Sequence, residues 1–522
     1  MKTPLIVLLL LVATTAALAA PNLLLVPVPP ADERVDPGDP FTYTFRAVNL
    51  GTFTDVRLVH QLPPGGHFLS FSAGSPRWSC SESAGAVVCL RPNYSFSAVD
   101  PNDNLIALTV TAPEDASGKR FTTTTTFESV PPGSRSQASV TMTVFRTFTV
   151  TTPGDFGAGT LRDAIEHADD ACDGSFPCKI RFAEAMRIAP QTPLPVITAC
   201  GLIIQGGPYD ANIPNRSFDV VRRVEISGAE VTSGSGLVLS ARCGEGSLFK
   251  GTTLRALAIN SFPENGVEVR APNKGKAIVE GCFIGTDVSG RIAVPNLRGI
   301  SVLTSDAWID VSYSLISGNA RSGIAFWSGH EFQSHLFENL VGIRFGGDPL
   351  PNGGSGIFVN GGVIYSQRNT IEYNGEFGVA IGPGARHFFS QYDYIANNGG
   401  IAVDWGLNGP GNGPGSGVGV PQLTDAAYDP SSNRTFISGT LLMNSDREYY
   451  DVEFFASPGD FQGGYYIGVI PLGLGDVPSR SFVAPVRGNW TGAVITAHAM
   501  RRHQADGGTL DSSEWSAGIR VR

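Results

Sequence analysis

Residues 260–406 carry six copies of one short pattern, in which a turn residue precedes Gly and an aliphatic residue follows it: Asn265-Gly266-Val267, Arg298-Gly299-Ile300, Ser322-Gly323-Ile324, Ser355-Gly356-Ile357, Phe377-Gly378-Val379 and Gly399-Gly400-Ile401. The steps between successive glycines are 33, 24, 33, 22 and 22 residues. Recurrence at a step of about 20 to 50 residues is typical of a solenoid, in which each repeat buries its apolar side against its neighbours.

The segments between these glycines predict strands. Apolar side chains alternate in them, as in Trp308-Ile309-Asp310-Val311, and no window keeps a helical period. A unit of 22 to 24 residues has no room for a crossover helix, so each strand must pair with the same strand one turn later. The pattern therefore predicts a parallel β-helix.

In such a β-helix, equivalent residues form rows along the axis, at roughly the 4.8 Å spacing of paired strands. We expect the repeated Gly to serve a turn with positive φ or a close approach of two backbones. Several asparagines suit left-handed turns or ladders of side-chain amides: Asn319, Asn339, Asn374 and Asn397.

The two 33-residue repeats carry matching insertions, which run from Phe283-Ile284-Gly285 to Pro295-Asn296 and from Leu340-Val341-Gly342 to Pro351-Asn352. With Ile316-Ser317-Gly318-Asn319 and Ile371-Glu372-Tyr373-Asn374, this pattern resembles the bacterial right-handed parallel β-helix repeat family of the carbohydrate-binding/sugar-hydrolysis type. The resemblance spans roughly residues 148–406. It implies the architecture strongly and the activity weakly.

The segment before the repeats predicts one short helix. Leu161, Ala164, Ile165 and Ala168 fall on one helical face, and Thr160 suits the N-cap. Arg162 and Glu166 have the spacing of an i,i+4 ion pair. We expect this helix to cover the open end of the first coil, where unpaired strand edges would invite aggregation.

Alternating strands with regular turns predict a β-sandwich on each side of the β-helix in the sequence. The first resembles the Ig-like surface-repeat family called domain of unknown function eleven. Its carrying motifs are Pro37-Gly38-Asp39, Tyr43-Thr44-Phe45, Asn49-Leu50-Gly51, Leu62-Pro63-Pro64-Gly65 and Trp78-Ser79-Cys80. The family usually has an acid just before Leu-Pro, where this chain has His60-Gln61, and the resemblance implies a spacer or adhesive module.

The fold class predicted for the whole chain is all-β with one capping α-helix. We expect a signal peptide at 1–19, an Ig-like sandwich at 20–146, a right-handed parallel β-helix at 147–407, a Gly/Pro linker at 408–419 and a C-terminal β-sandwich at 420–522. The signal prediction rests on Lys2, the apolar run Leu5 to Val12 and the small residues of Ala17-Leu18-Ala19. It predicts an exported protein, secreted or at the cell surface, with no transmembrane span after cleavage.

The net charge of −10, from 37 basic and 47 acidic residues, disfavours binding to nucleic acid. Export predicts an oxidising compartment, in which disulfides form and persist. Cys80 with Cys89, and Cys172 with Cys178, bracket short loops and are expected to close locally. The pairing among Cys200, Cys243 and Cys282 stays open: Cys200 and Cys243 can join two coils, and Cys282 suits a small buried hydrophobe.

Polysaccharide lyases and hydrolases of the β-helix class need an acid and a base in one groove. The weak catalytic candidates are Asp306, Asp310, Glu331 and His335. The motif Trp308-Ile309-Asp310-Val311 resembles a pectate lyase strand, but Val311 stands where that family has His. We expect no cofactor and no metal site, since no Cys/His spacing fits zinc and Asp is absent from 405–423.

The aromatic candidates for stacking on a sugar are Trp308, Trp327 and Tyr392, although alternating strands also use such rings for packing. Three hypotheses follow. The favoured one is an exported, non-catalytic surface protein that binds polysaccharide or another cell-surface partner. The second is a secreted polysaccharide lyase or glycoside hydrolase, and the third is a purely structural coat or filament component.

Overall fold

In the computed structural model, the chain divides into two compact units, Met1–Phe145 and Arg146–Arg522. The described residues are 23–28, 34–49, 54–74, 76–94, 105–207, 224–241, 243, 251–270, 276–304, 307–327, 333–407, 418–443, 449–457, 464–473, 479–502 and 509–522. The predicted signal peptide and most of the predicted linker lie outside these residues. None of the described helices is long and apolar enough to cross a bilayer.

The first unit is a two-layer β-sandwich that is antiparallel except for one short parallel pair. One sheet has the order Leu23–Val28, Pro40–Asn49, Leu105–Thr111, Phe68–Ala73, and the other has the order Arg34–Val35, Arg135–Val144, Arg120–Val130, Thr54–Gln61, Ala86–Tyr94, Ser79–Ser83. A 3-10 turn spans Glu114–Ala116. The core between the layers is aromatic and aliphatic, with Tyr43, Phe45, Trp78 and Phe127 fully or almost fully buried.

His60 is a core residue of this sandwich. Its ring lies 4.3 Å from the Tyr43 ring and 5.8 Å from the Phe45 ring, and its Nδ1 lies 2.7 Å from Thr125 Oγ1. Burial lowers the pKa of His60 to about 4, so the imidazole is neutral at pH 7. A buried neutral ring at this place packs the core.

The second unit opens with a parallel β-helix of three sheets, which confirms the predicted fold class. Sheet 1 comprises Arg146–Val150, Asp173–Phe182, Cys200–Gln205, Thr252–Arg255, Lys276–Glu280, Trp308–Ser312, Gln333–Phe337, Gly362–Gln367 and Ala385–Gln391. Sheet 2 comprises Met186–Ile188, Val224–Ser227, Leu257–Asn260, Phe283–Ile284, Leu315–Ile316, Leu340–Val341, Thr370–Glu372 and Tyr394–Ala396. Sheet 3 comprises Leu237–Leu239, Asn265–Val269, Arg298–Val302, Ile324–Phe326, Ile357–Val359, Val379–Ile381 and Val403–Trp405.

The repeated glycines lie at the start of sheet 3, where successive coils approach closely. A Cβ on Gly323 would lie 2.7 Å from the Gly356 carbonyl oxygen, and one on Gly356 would lie 2.8 Å from the Gly378 carbonyl oxygen. None of the six has a positive φ. Of the two expected roles, close backbone approach is therefore the one that the row fulfils.

Gly400 does not belong to this row, contrary to the sequence-based alignment. Val379 pairs with Val403, so the residue that follows Gly378 in the row is Ala402. The strand of the last coil is the final strand of sheet 3. No further coil therefore places a carbonyl oxygen against the methyl group of Ala402. The row instead extends one coil toward the N-terminal end of the β-helix. Leu237 pairs with Val267, so Gly236 lies next to Gly266 in the row.

Two ladders of side chains fill the corners between the sheets. Between sheets 2 and 3, each amide donates to the next at 2.9–3.1 Å, in the order Asn296, Asn319, Asn352, Asn374, Asn398. Between sheets 1 and 2 the row runs Cys282, Ser314, Asn339, Asn369, Asp393. The ladder amides also bond backbone groups, as Asn352 Nδ2 does with the Ile316 carbonyl, so buried polar groups at the turns are satisfied. Asn397 lies outside both ladders and has a left-handed φ of 56°.

The matching insertions cover an apolar row on the outer side of sheet 2. Each forms a small hairpin, closed by Thr286 with Ala293 in one and Ile343 with Pro349 in the other. Phe345 of the second hairpin lies 6.1 Å from the Phe283 ring and joins a buried cluster with Ala258, Leu315 and Leu340.

The helix Leu161–Ala171 covers the first coil, as predicted. Leu161, Ala164, Ile165 and Ala168 are buried in the β-helix core, and Thr160 Oγ1 accepts a bond from the Asp163 backbone N–H. Arg162 does not pair with Glu166. It binds Asp155 instead, at 2.6 Å, because that carboxylate is anchored by the backbone of Gln191 and Thr192 and ties the preceding loop to the helix.

The far end of the β-helix is covered by a second sandwich. Its sheets contain Gln422–Asp429, Arg434–Leu442 and Ser479–Arg487 in one, and Tyr465–Leu472, Tyr449–Ser457, Val494–Arg502, Thr509–Ser512 and Ile519–Arg520 in the other. Phe455 and Trp515 pack into the β-helix core, and Glu514 accepts a bond from the Trp405 backbone N–H at 3.1 Å. A buried pair of Glu453 and His498, 3.0 Å apart, lies beside Trp515.

Three disulfides are present: Cys80–Cys89, Cys172–Cys178 and Cys200–Cys243. The third joins residues 43 positions apart in the sequence and resolves the pairing that the sequence left open. Cys282 is free and buried, at the head of the second ladder.

We predict that Gly356→Ala lowers the free energy of unfolding by about 1–3 kcal/mol, the usual range for overpacking. The new Cβ would lie 2.6–2.8 Å from Ile371, Asn374 and Gly378, all of which are fixed by the coil. The matched control is Gly154→Ala, whose nearest neighbours would be 3.8 Å away. Urea unfolding followed by circular dichroism compares the two, and equal effects would contradict the close-approach account.

We predict that Asp393→Asn removes a pH-dependent part of the stability. Burial raises the Asp393 pKa from 3.8 to about 6, against bonds from Asn369 and Ser390 that lower it. Between these two pH values the folded state binds more protons than the unfolded state does. The stabilisation from protonated Asp393 is therefore complete below pH 3.8 and lost above pH 6, and it amounts to about 3 kcal/mol. An asparagine extends the ladder without a proton to lose. Unfolding free energies from pH 3.5 to 7 test this, with exposed Asp348→Asn as control, and an unchanged slope in Asp393→Asn would refute it.

Candidate functional site

The outer side of sheet 1 brings together polar and aromatic side chains from successive coils. Alternation buries Ile309 and Val311 in the core and directs Asp310 outward. The strand register then places one residue per coil in a column: Ile278, Asp310, His335, Tyr365 and Phe389. We call these residues, with Lys276, the sheet 1 column.

Asp310 is the charged centre of the sheet 1 column. Lys276 Nζ lies 2.5 Å from Asp310 Oδ2, and His335 Nδ1 lies 3.1 Å from Asp310 Oδ1. Burial alone would raise the Asp310 pKa, but the hydrogen bonds and charges of His335 and Lys276 outweigh it and hold the pKa below its ordinary value. Asp310 is therefore a carboxylate near neutral pH.

The carboxylate orients the imidazole of His335. With the proton on Nδ1, that nitrogen donates to Asp310, and Nε2 is an acceptor without a hydrogen-bond partner in the part of the chain that the structure describes. The His335 side chain is 51% exposed. An oriented, accessible imidazole can accept a proton or a hydrogen bond from a ligand.

Aromatic rings continue the sheet 1 column toward the last coil. The His335 ring stacks on the Tyr365 ring with centroids 5.3 Å apart and planes 19° apart, and Tyr365 stacks on Phe389 at 4.4 Å and 23°. His335 is exposed and Tyr365 half-buried, whereas Phe389 is 5% exposed. The accessible part of the stack is thus His335 and Tyr365.

The structure separates the three aromatic candidates. Trp308 lies half-buried on the outer side of sheet 1, on the same strand as Asp310. Trp327 follows a strand of sheet 3 and packs on Phe358 at 4.9 Å. Tyr392 lies at the last coil and meets Tyr466 of the C-terminal sandwich at 4.8 Å. Trp308 alone of the three lies on the face of the sheet 1 column.

Of the four catalytic candidates, Asp310 and His335 come together, whereas Asp306 and Glu331 lie outside the described residues. Sequence reasoning missed Lys276, Tyr365 and Phe389. A signal for the two rings was present: Asp310, His335, Tyr365 and Phe389 each stand four residues before a member of the second ladder. Counting from that ladder, instead of from the glycines, aligns the sheet 1 column.

In the described part of the chain, no group of three His, Cys, Asp or Glu side chains is positioned to hold a metal ion. Asp310 is instead occupied by two cationic or hydrogen-bonding side chains, Lys276 and His335.

No family model matches the chain, and no curated protein matches it. Among solved structures, the chain is similar to the enzymatically active domain of tailspike protein 2 of bacteriophage CBA120. The two are 9% identical, the match covers 65% of this chain and 69% of that one, and the TM-score is 0.25. The fold assignment rests on the strand pairing described above.

Proposed function

We propose that this chain is an exported protein that binds polysaccharide along the outer side of sheet 1. The observation that carries the proposal is the sheet 1 column, in which a half-exposed stack of His335 and Tyr365 adjoins the charged cluster of Lys276 and Asp310. Aromatic rings pack against the apolar faces of sugars, and charged groups hydrogen-bond their hydroxyls. Both kinds of contact are available here within four successive coils.

The regular geometry of sheet 1 also suits a polymeric ligand. Equivalent outward residues recur in each coil at roughly the 4.8 Å spacing of paired strands. Two residues after the sheet 1 column on each strand, the next outward row contains Gln367 and Gln391, whose side chains bond each other at 3.0 Å. A rigid face with contacts at equal intervals needs little ordering on binding, which favours affinity for an extended chain.

Export is supported by the predicted signal peptide at 1–19 together with the three disulfides, which persist in oxidising compartments. In this proposal the segment 20–146 is an Ig-like spacer and 147–407 is the β-helix. The segment 408–419 is a linker, and 420–522 is a sandwich that closes the last coil.

Cleavage of the polysaccharide is the second candidate function, and the bond between His335 and Asp310 is the observation that favours it. A carboxylate-oriented imidazole whose Nε2 has no partner among the described residues has the arrangement of a general base. The same bond disfavours glycoside hydrolysis through Asp310, because a general acid needs a raised pKa and that of Asp310 is lowered. Binding without cleavage therefore ranks first.

We predict that Tyr365→Ala weakens polysaccharide binding about tenfold or more, because it removes the central ring of the stack. Tenfold corresponds to about 1.4 kcal/mol. Isothermal titration with neutral and acidic polysaccharides measures the change, and Tyr373→Ala, at the residue that follows the sheet 2 strand Thr370–Glu372, is the matched control. Equal affinity of Tyr365→Ala and the unsubstituted protein would refute the assignment of this face.

We predict that the protein retains a polysaccharide without releasing new reducing ends or unsaturated products, with or without calcium. Products would instead establish the second candidate, and His335→Ala should then lower the rate about 10²- to 10⁴-fold, as expected for loss of a general base. Glu338→Gln, in an exposed pair with Arg368 near the same corner, is the control that should leave the rate unchanged.

A further inference from the structure

The outer side of sheet 3 carries two arginines on successive coils. Arg298 opens the strand Arg298–Val302, and Arg321 lies in the turn before Ile324–Phe326. The coils are joined here by a bond from the Arg321 backbone N–H to the Leu297 carbonyl at 2.7 Å. The backbones of the two arginines are thus held on neighbouring turns of one surface.

An exposed indole adjoins Arg298. The Arg298 guanidinium carbon lies 5.0 Å from the centroid of the Trp327 ring, within the range of a cation–π contact. Trp327 is 38% exposed and rests on Phe358 of the next coil at 4.9 Å. We call Arg298, Arg321, Trp327 and Phe358 the arginine–tryptophan cluster.

No carboxylate neutralises these arginines in the part of the chain that the structure describes. The nearby acids have other partners. Glu264, whose backbone carbonyl accepts from the Arg298 backbone N–H, accepts a bond on its side chain from the Gly234 backbone N–H at 3.3 Å. Glu268 binds Arg270, Ser235 and Asn265, and Glu376 accepts a bond from Ser355. Burial, and then the charge of Arg321, lower the pKa of Arg298. Among the described residues, the two arginines thus carry adjacent like charges with no ion-pair partner, in a chain with 47 acidic and 37 basic residues.

An anionic ligand would supply the missing counter-charge. The planar guanidinium presents paired N–H donors that match the two oxygens of a carboxylate, and Arg is the usual choice where such bidentate recognition matters. The indole beside it is 38% exposed and offers apolar surface to the sugar ring that carries the carboxylate. A carboxylate attached directly to a pyranose ring satisfies both contacts at once.

We propose that the arginine–tryptophan cluster is a binding site for the carboxylate of an acidic sugar, such as a hexuronate unit of a polysaccharide. The site lies on sheet 3, separate from the sheet 1 column, and the inference rests on the proposed function only in taking polysaccharide as the ligand. An acidic peptide would use the arginines but gains nothing specific from the indole, so the sugar is the favoured occupant.

The test is titration of the full-length protein with polygalacturonate, its methyl ester and a neutral galactan. Arg298→Gln and Arg321→Gln should each weaken binding of polygalacturonate at least fivefold, and methyl esterification should do the same. Arg298→Lys keeps the charge but loses the paired N–H donors of the guanidinium. Its affinity for polygalacturonate should lie between that of the unsubstituted protein and that of Arg298→Gln. The matched control is Arg291→Gln, which removes one exposed charge from the hairpin outside sheet 2 and should change affinity less than twofold.

Four results would overturn the proposal. They are an equal loss in Arg291→Gln, equal binding of the methyl ester, no loss in Arg321→Gln, and arginine-dependent binding of poly-glutamate that matches that of polygalacturonate. Arg321 is exposed, so its variant is expected to fold, and thermal unfolding checks this. Neutral polymers report separately on the sheet 1 column: if galactan binding depends on Tyr365 while Arg321→Gln leaves polygalacturonate binding unchanged, this site is refuted and the proposed function stays intact.

Discussion

The structure depends on one constraint, which is that each coil must lie at hydrogen-bonding distance from the next along all three sheets. Close approach at the start of sheet 3 is possible because the row from Gly236 to Gly378 has no side chains there. The corners must also satisfy their buried backbone groups. The two ladders do this with amides that bond both each other and the main chain, as Asn319 does with Asn352 and the Ile284 carbonyl.

A stack of coils leaves unpaired strands at its two ends, and this chain covers each in a different way. The helix Leu161–Ala171 places its apolar face over the first coil. The last coil is covered by the C-terminal sandwich, with Phe455 and Trp515 in the shared core and Ser512 bonded to the Phe388 carbonyl at 2.8 Å. The helix and the sandwich thus each cover an exposed strand edge that would otherwise be able to pair with another chain.

The repeats made it possible to predict the architecture from the sequence. The contacts between individual side chains could not be predicted in the same way. The Gly pattern located the strands of sheet 3, but it misplaced Gly400 because the last coil escapes the constraint that selects Gly. Helical spacing predicted an ion pair between Arg162 and Glu166. Arg162 instead binds Asp155, a loop residue 7 positions upstream, because backbone N–H donors hold that carboxylate in place. Such choices depend on loop conformation, which has no period.

The candidate site illustrates the same division. Asp310 and His335 were recognised as an acid and a base, but nothing in their spacing by itself indicated contact. Their contact follows from the register that the second ladder imposes, which also aligns Tyr365. Lys276 reaches Asp310 from one coil above and from the neighbouring outward row, a diagonal approach that a column alignment does not reveal.

The central functional claim is that polysaccharide lies on the outer side of sheet 1. The most direct measurement is a crystal structure of the full-length protein with a bound oligosaccharide from whichever polymer it retains. The account predicts sugar density across His335 and Tyr365, with hydroxyls in contact with Lys276 or Asp310. Sugar bound elsewhere, with this face empty, would contradict it.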